Sequence, residues 1–313
     1  MRTGAIGDFV LTLPALRALR ATFPAHQILL AARADVHPIV HGSLADDVLA
    51  FDDRRIAALF QPETQTPSAL TPLFSDLDVA VLWLPAPRSA IVADHLRRLN
   101  ASHIVSADPL PTHRHAADHL LDTLALLGIS SARFDARPRL DQPLASSAFA
   151  ARTWLSSSLT SDTRLVAIHV GSGSAAKRWP LDNFLAVAAR IAAVPKTHVL
   201  LVSGPAENVK GLRLPANSTY LPDVRLIDLA ALLSTCALYL GNDSGITHLA
   251  AALGVPTVAL FGPTDPAIWG PRGHHVTILR SETSRMDGLG LEQVWSAVYT
   301  GNGGPRSSPP FPT

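Results

Sequence analysis

Short apolar runs alternate with amphipathic stretches along this chain of 313 residues. In the first half, residues 27–31 and 79–84 read as strands, while residues 11–23, 91–99 and 117–127 repeat apolar positions at helical spacing. A second cycle starts after Ser156-Ser157-Ser158, with a strand at 165–170, a helix at 181–194, a strand at 198–202, a helix at 228–235 and strands near 237–240 and 256–261. The last packed element predicted is a helix over 291–299. Such alternation predicts parallel sheets with helices on both faces. The expected class is therefore α/β, with two doubly wound domains spanning residues 1–155 and 156–300. Residues 301–313, dense in Gly, Pro and Ser, read as a disordered tail outside the fold. Sheets of this kind bind ligands outside the carboxyl ends of their strands, and the cleft between two such domains is the default site.

Composition narrows the function classes. With 47% apolar residues the chain can bury large cores, and its formal net charge is +1. The basic residues are scattered and no run of them is interleaved with aromatics, which argues against a nucleic-acid partner. A single cysteine, Cys236, falls in an apolar segment, so a reducing compartment is expected and no disulfide framework exists. No secretory signal precedes the first motif. The longest weakly polar stretch, 249–261, is interrupted by Gly254 and Pro256 and is too short to cross a bilayer, which leaves only peripheral membrane contact.

Two glycine-bearing segments of the second half carry the most chemistry. Gly241-Asn242-Asp243-Ser244-Gly245-Ile246-Thr247-His248 leaves an apolar strand and enters an apolar helix that Gly254 stops. Backbone N–H groups at Ser244 and Gly245, with the helix dipole, would favour an anion there. Asp243, Ser244, Thr247 and His248 add polar groups beside it. The same residues also read as an Asp/Ser cap with a helix-packing histidine. His169-Val170-Gly171-Ser172-Gly173-Ser174-Ala175-Ala176-Lys177-Arg178-Trp179-Pro180 likewise leaves a strand and enters a helix at Leu181. Gly171 and Gly173 let backbone approach a ligand, Ser172 and Ser174 donate hydrogen bonds, and Lys177 brings a mobile charge, a set suited to phosphate. Only three of the 26 basic residues are lysine, which gives Lys177 some weight over an ordinary loop residue. It is not a Walker loop, because the flanking Gly and Ser/Thr are missing.

Three further turns lie at strand ends or helix starts. Gly4-Ala5-Ile6-Gly7-Asp8 precedes the first helix and fails the G-x-G-x-x-G spacing of a dinucleotide fingerprint. Asp8 is a candidate general base or a plain helix cap. Glu207, after Gly204-Pro205-Ala206, suits ribose hydroxyls or a helix first turn. Thr264 and Asp265, in Phe261-Gly262-Pro263-Thr264-Asp265-Pro266, are candidate sugar or acceptor contacts, with a plain turn as the alternative. Metal chemistry finds little support. Asp76-Leu77-Asp78 introduces a strand instead of ending one, Asp46-Asp47 and Asp52-Asp53 look like loops, and His113, His115 and His119 read as surface histidines without a carboxylate partner.

Taken in order, these motifs resemble glycosyltransferase family 9, the heptosyltransferases of bacterial lipopolysaccharide core assembly. The resemblance rests on Gly4 to Asp8 with Leu13-Pro14-Ala15-Leu16-Arg17, on His169 to Gly173 with Lys177-Arg178-Trp179-Pro180, and on Gly241 to Gly245 with His248-Leu249-Ala250-Ala251. Phe261 to Pro266 and Trp269-Gly270-Pro271 also follow its pattern, and the similarity spans roughly residues 3–300. It implies a GT-B architecture, two Rossmann-like domains facing a central cleft, with the donor bound mainly by the second. It implies inverting transfer of heptose from ADP-heptose to a glycolipid or oligosaccharide acceptor, without metal or other cofactor, in the cytoplasm or at the inner membrane's cytoplasmic face. It assigns Asp8 as base and Lys177 to donor phosphate, with Ser172, Gly173, Glu207, Asp243, Ser244, Gly245 and His248 around the nucleotide sugar. Arg33, Arg54, Arg55, Arg88, Arg97 and Arg98 are candidates for an anionic acceptor. Only Met1-Arg2-Thr3 precedes the first motif where the family usually carries a hydrophobic strand, so a clipped central strand is expected in the first sheet. Another sugar-nucleotide transferase, a non-hydrolysing epimerase and a catalytically silent nucleotide-sugar binder remain as alternatives.

Overall fold

Runs of Val, Ile, Leu and Ala that leave no face for water form buried parallel strands, and a computed structural model of the chain shows how they pair. It describes residues 1–61, 71–74, 76–140, 160, 162–204 and 213–301. The chain divides into two units, Met1–Pro138 and Arg139–Thr313. The Ser-rich stretch 156–158 and tail residues 302–313 lie outside the described residues.

In the first unit, β1 (Leu29–Ala32) pairs with β2 (Asp47–Ala50), and β3 (Val79–Trp83) pairs with β4 (His103–Ala107), both in parallel. The chain's first residues bridge the two ladders. Arg2 N–H donates to the Ala31 carbonyl at 3.1 Å, and Trp83 N–H donates to the Met1 carbonyl at 3.0 Å. The Met1 amine donates to the Val81 carbonyl at 2.6 Å, and burial pulls its pKa down to about 5. Met1 and Arg2 thus lie between β1 and β3. Beside them a cleft of about 750 Å³ opens between the flanks of β1 and β3, lined in part by Leu29, Leu77, Val79 and Val81.

Helices α1 (Ile6–Thr22), α2 (Ala86–Arg98) and α3 (Ala116–Asp122) are the longer helices described in this unit, with α1 packed on α3. The observed α1 starts before the anticipated residue 11, so Asp8 lies inside its first turn and not in the loop ahead of it. Pro14 within the helix removes one backbone donor. The helix persists because Phe9, Val10, Leu11, Leu13 and Leu16 are all buried. A second core, with Leu82, Leu84, Val92 and Leu96 nearly inaccessible, ties β3 to α2.

The second unit holds one sheet of six parallel strands: β5 (Arg164–His169), β6 (Thr197–Ser203), β7 (Ser218–Pro222), β8 (Leu238–Asn242), β9 (Thr257–Phe261) and β10 (Val276–Arg280). Their spatial order is β10-β9-β8-β5-β6-β7. Every residue of β6, β8 and β9 is buried. Helices α4 (Leu181–Ala192), α5 (Leu226–Leu233), α6 (Gly245–Ala252) and α7 (Leu291–Gly301) are the longer helices described here. The chain runs outward from β5 through β6 and β7, then returns to the other side of β5 as β8. Strand order therefore reverses between β5 and β8, which is where open α/β sheets hold ligands. Strands β4, β7 and β10 were not anticipated. All three lie at the end of a ladder and are only partly buried, so their sequences lack a continuous apolar run.

Candidate functional site

The two segments singled out by their glycines leave the carboxyl ends of β5 and β8, the two neighbouring strands at the reversal. Asn242, the last residue of β8 and fully buried, stitches them together. Its amide oxygen accepts from Trp179 N–H at 2.9 Å. Its Nδ2 donates to the carbonyls of Val170 at 3.0 Å and Gly171 at 3.2 Å. Ser172 Oγ then donates to the Asp243 carbonyl at 2.8 Å, and Lys177 Nζ pairs with Asp243 Oδ2 at 2.7 Å. Asp243 is almost entirely buried, while the Lys177 side chain keeps a third of its surface exposed. Anchored at one end, the ammonium still has donors to offer.

Local rules explain why the backbone turns there. Ser244 caps α6, its Oγ accepting from Thr247 N–H at 3.4 Å. Thr247 Oγ1 in turn donates to the Asn242 carbonyl and meets the Tyr239 hydroxyl at 3.0 Å. Gly241 is required by close approach, because a Cβ would come within 2.8 Å of the Tyr239 ring. Burial raises the Tyr239 pKa, which keeps the hydroxyl a neutral partner. His169 lies 3.4 Å from Ser244 Oγ through Nδ1, and burial pulls its pKa down to about 4, so the ring is uncharged at neutral pH. Gly245 and Ile246 occupy the first turn of α6, where N–H groups have no intrahelical acceptor. The cluster is thus built of neutral dipoles, one buried carboxylate and one lysine.

The structure brings Ser172, Lys177, Asp243 and Ser244 into a single cluster, with Gly245 and the buried His248 on the adjoining helix. Gly173 sits on the exposed side of its loop. Glu207 lies outside the described residues. Asp265 caps the short helix Pro266–Trp269, accepting from Ala267 N–H at 3.1 Å, and pairs with Arg280. The residue types alone did not single out Asn242 or Trp179. The available signal was a polar side chain ending a wholly apolar strand, which a buried position must satisfy with hydrogen bonds.

Asp8 belongs to the first unit. It is the third residue of α1, its Oδ2 accepts from Ala5 N–H at 2.8 Å, and its Oδ1 meets the buried Arg2 guanidinium at 3.0 Å. About 29% of its side chain remains exposed. Gly4 adopts φ +131°, and a Cβ there would lie 2.9 Å from that of Asp8.

Among the described residues, no cluster of three or more His, Cys, Asp or Glu is arranged to hold a metal. His115 is not a surface residue as expected; it is buried and caps α3, its Nδ1 accepting from Ala117 N–H at 3.2 Å. Arg33, Arg55 and Arg98 pair with the neighbouring carboxylates of Asp35, Asp53 and Asp94, and Arg54, Arg88 and Arg97 are exposed. No helix among the described residues is long and apolar enough to cross a membrane.

Comparison with known proteins gives a consistent outcome. Residues 110–294 match the model of glycosyltransferase family 9 (heptosyltransferase). Lipopolysaccharide heptosyltransferase 1 of Pseudomonas aeruginosa is 35% identical over 121 residues, which cover 38% of this chain and 34% of that protein. The chain thus spans about a third of the length of this curated relative. A glycosyltransferase family 9 structure from Veillonella parvula superposes with a TM-score of 0.78 at 22% identity, covering 96% of this chain and 95% of its own. The E. coli ADP-heptose lipopolysaccharide heptosyltransferase II superposes at 0.72 with 18% identity, covering 96% and 98%. At these identities the likeness establishes a common fold, that of GT-B-like glycosyltransferases.

Proposed function

The chain belongs to glycosyltransferase family 9, and on that premise we propose that it moves heptose from ADP-heptose to a hydroxyl of a lipopolysaccharide core or similar glycan, with inversion and without a metal ion. The observation that carries this reading is the meeting of the β5 and β8 loops at the strand-order reversal, where Lys177 is fixed by Asp243 beside the start of α6. Relatives named for ADP-heptose support the choice of donor.

In this mechanism the diphosphate lies over the first turn of α6. Lys177 and the N–H groups of Ser244 and Gly245 take up the charge that builds on the departing phosphate. Ser172, Gly173, Glu207, Asp243 and His248 surround the nucleotide sugar. Asp8 accepts the proton of the acceptor hydroxyl as that oxygen attacks the anomeric carbon from the side opposite the leaving diphosphate. The carbon–oxygen bond to phosphate breaks as the new glycosidic bond forms, and ADP leaves with the lysine's charge beside it. A glycolipid acceptor would place the enzyme in the cytoplasm with peripheral contact at the inner membrane.

A second reading has one observation in its favour. Both Asp8 oxygens already hold donors, Ala5 N–H and Arg2, as they would in a carboxylate that serves only to cap its helix. A catalytically silent nucleotide-sugar binder follows from that. Turnover of ADP-heptose with a core acceptor, run beside UDP-sugars, tests the proposal. Product from ADP-heptose alone supports it, turnover of UDP-sugars points to another transferase or an epimerase, and tight ADP binding without product with any acceptor favours the silent binder.

A further inference from the structure

Arg2 is a charged residue that the mechanism above does not use. Its side chain is only 4% exposed, and its backbone is held in the sheet through the Ala31 carbonyl. The guanidinium reaches Asp8 Oδ1 at 3.0 Å from the strand side, while Ala5 N–H holds Oδ2 at 2.8 Å from the helix side. Gly4, in a left-handed conformation, leaves room for the carboxyl between them. A carboxylate held from two rigid elements cannot swing through its rotamers, whereas one capped by Ala5 alone keeps its second oxygen free to move. A carboxylate oxygen has more than one acceptor site, and 29% of the side chain faces solvent.

We propose that Arg2 is a positioning residue for Asp8, fixing the orientation of its carboxylate toward the acceptor hydroxyl. The assignment rests on Asp8 as the base. Arg2 touches neither substrate, and it acts only through the carboxylate it holds. Asp8 and Asp108 are the carboxylates that face the guanidinium electrostatically, and Asp8 forms the ion pair with it.

The test compares Arg2→Met, Arg2→Gln, Arg2→Lys, Asp8→Asn and the Arg2→Met/Asp8→Asn double variant of the full chain, in the ADP-heptose assay with ADP affinity and Tm alongside. Loss of orientation predicts that Arg2→Met lowers kcat by about 10- to 100-fold, with donor KM and ADP affinity unchanged. Arg2→Lys, which keeps the charge, restores most of the loss, and the double variant is no slower than Asp8→Asn. Wild-type kcat in Arg2→Met beside a crippled Asp8→Asn overturns the positioning role alone. Wild-type kcat in Asp8→Asn overturns the base assignment on which it rests. Should Arg2→Met fail to fold, Arg2→Gln stands in for it: a folded Gln variant with wild-type kcat beside a crippled Asp8→Asn overturns the positioning role.

Discussion

The two units of this protein use the same parallel strand grammar and differ in how their central strands are joined. In the second, β5 and β8 pair directly over four residues, and the fully buried Asn242 locks the loops beyond them with three hydrogen bonds. In the first, β1 and β3 do not pair with each other, and Met1 with Arg2 forms the bridge, carrying the ion pair to Asp8. The lesson is that a sheet's strand-order reversal can supply a rigid binding floor from backbone loops locked by a buried side-chain amide. On the proposal above, orienting a single reactive carboxylate takes a dedicated charged partner. Binding is therefore expected to reside in the second unit and chemistry to depend on the first, so that variants in each should separate affinity from turnover.

The largest effect that would break this contrast comes from Asp8. Asp8→Asn is expected to lower turnover by about 10²- to 10⁴-fold, as for loss of a general base, while leaving ADP affinity as in the wild type. Steady-state kinetics beside ADP titration reads both quantities. A parallel loss of ADP affinity would erase the division of labour.

Asn242→Ala addresses the second unit. It strips partners from the Trp179 N–H and from the carbonyls of Val170 and Gly171, and buried orphans of this kind cost about 1–3 kcal/mol each. With partial relaxation, a net destabilisation of about 3–4 kcal/mol is expected, measured by urea unfolding, together with weaker ADP binding. An unaltered ADP affinity would show that the two loops do not need each other.

His169 sharpens the contrast through pH. Burial holds its folded pKa at about 4, below the unfolded value, so the unfolded chain binds a proton first as the solution is acidified. The contribution of this histidine is complete above about pH 6.5 and is lost progressively as pH falls toward 4, by about 3 kcal/mol in all. Unfolding midpoints of the wild type and His169→Gln across that window check it. The variant should lose less stability on acidification.

How much of this could be read from the residues alone depended on where the information resides. Strands β5, β6, β8 and β9 announce themselves as apolar runs because both faces are covered. Edge strands β7 and β10 do not, since they mix Ser, Thr, Arg and Pro with apolar residues and bury few of them. The start of α1 escapes the sequence because no Ser, Thr, Asp or Asn stands at its cap position, Ala5. Lys177, Ser172 and Asp243 were legible as a phosphate-friendly set. Their mutual contacts were not, because the pairing of Lys177 with Asp243 spans 66 positions and is created only by the order of the strands. Asn242 was silent for the same reason: its partners are backbone atoms 63 to 72 positions away. Arg2 gave no signal beyond its neighbourhood to a short motif.

The central claim is that the loops after β5 and β8 hold a nucleoside diphosphate, with Lys177 as its cation. Calorimetric titration of ADP into the wild type and Lys177→Ala tests it most directly. Loss of one charge-assisted hydrogen bond predicts an affinity about tenfold or more lower in the variant, with a lower Tm in the absence of ADP because the buried Asp243 carboxylate loses its cation. Equal ADP affinity in the two proteins would contradict the account.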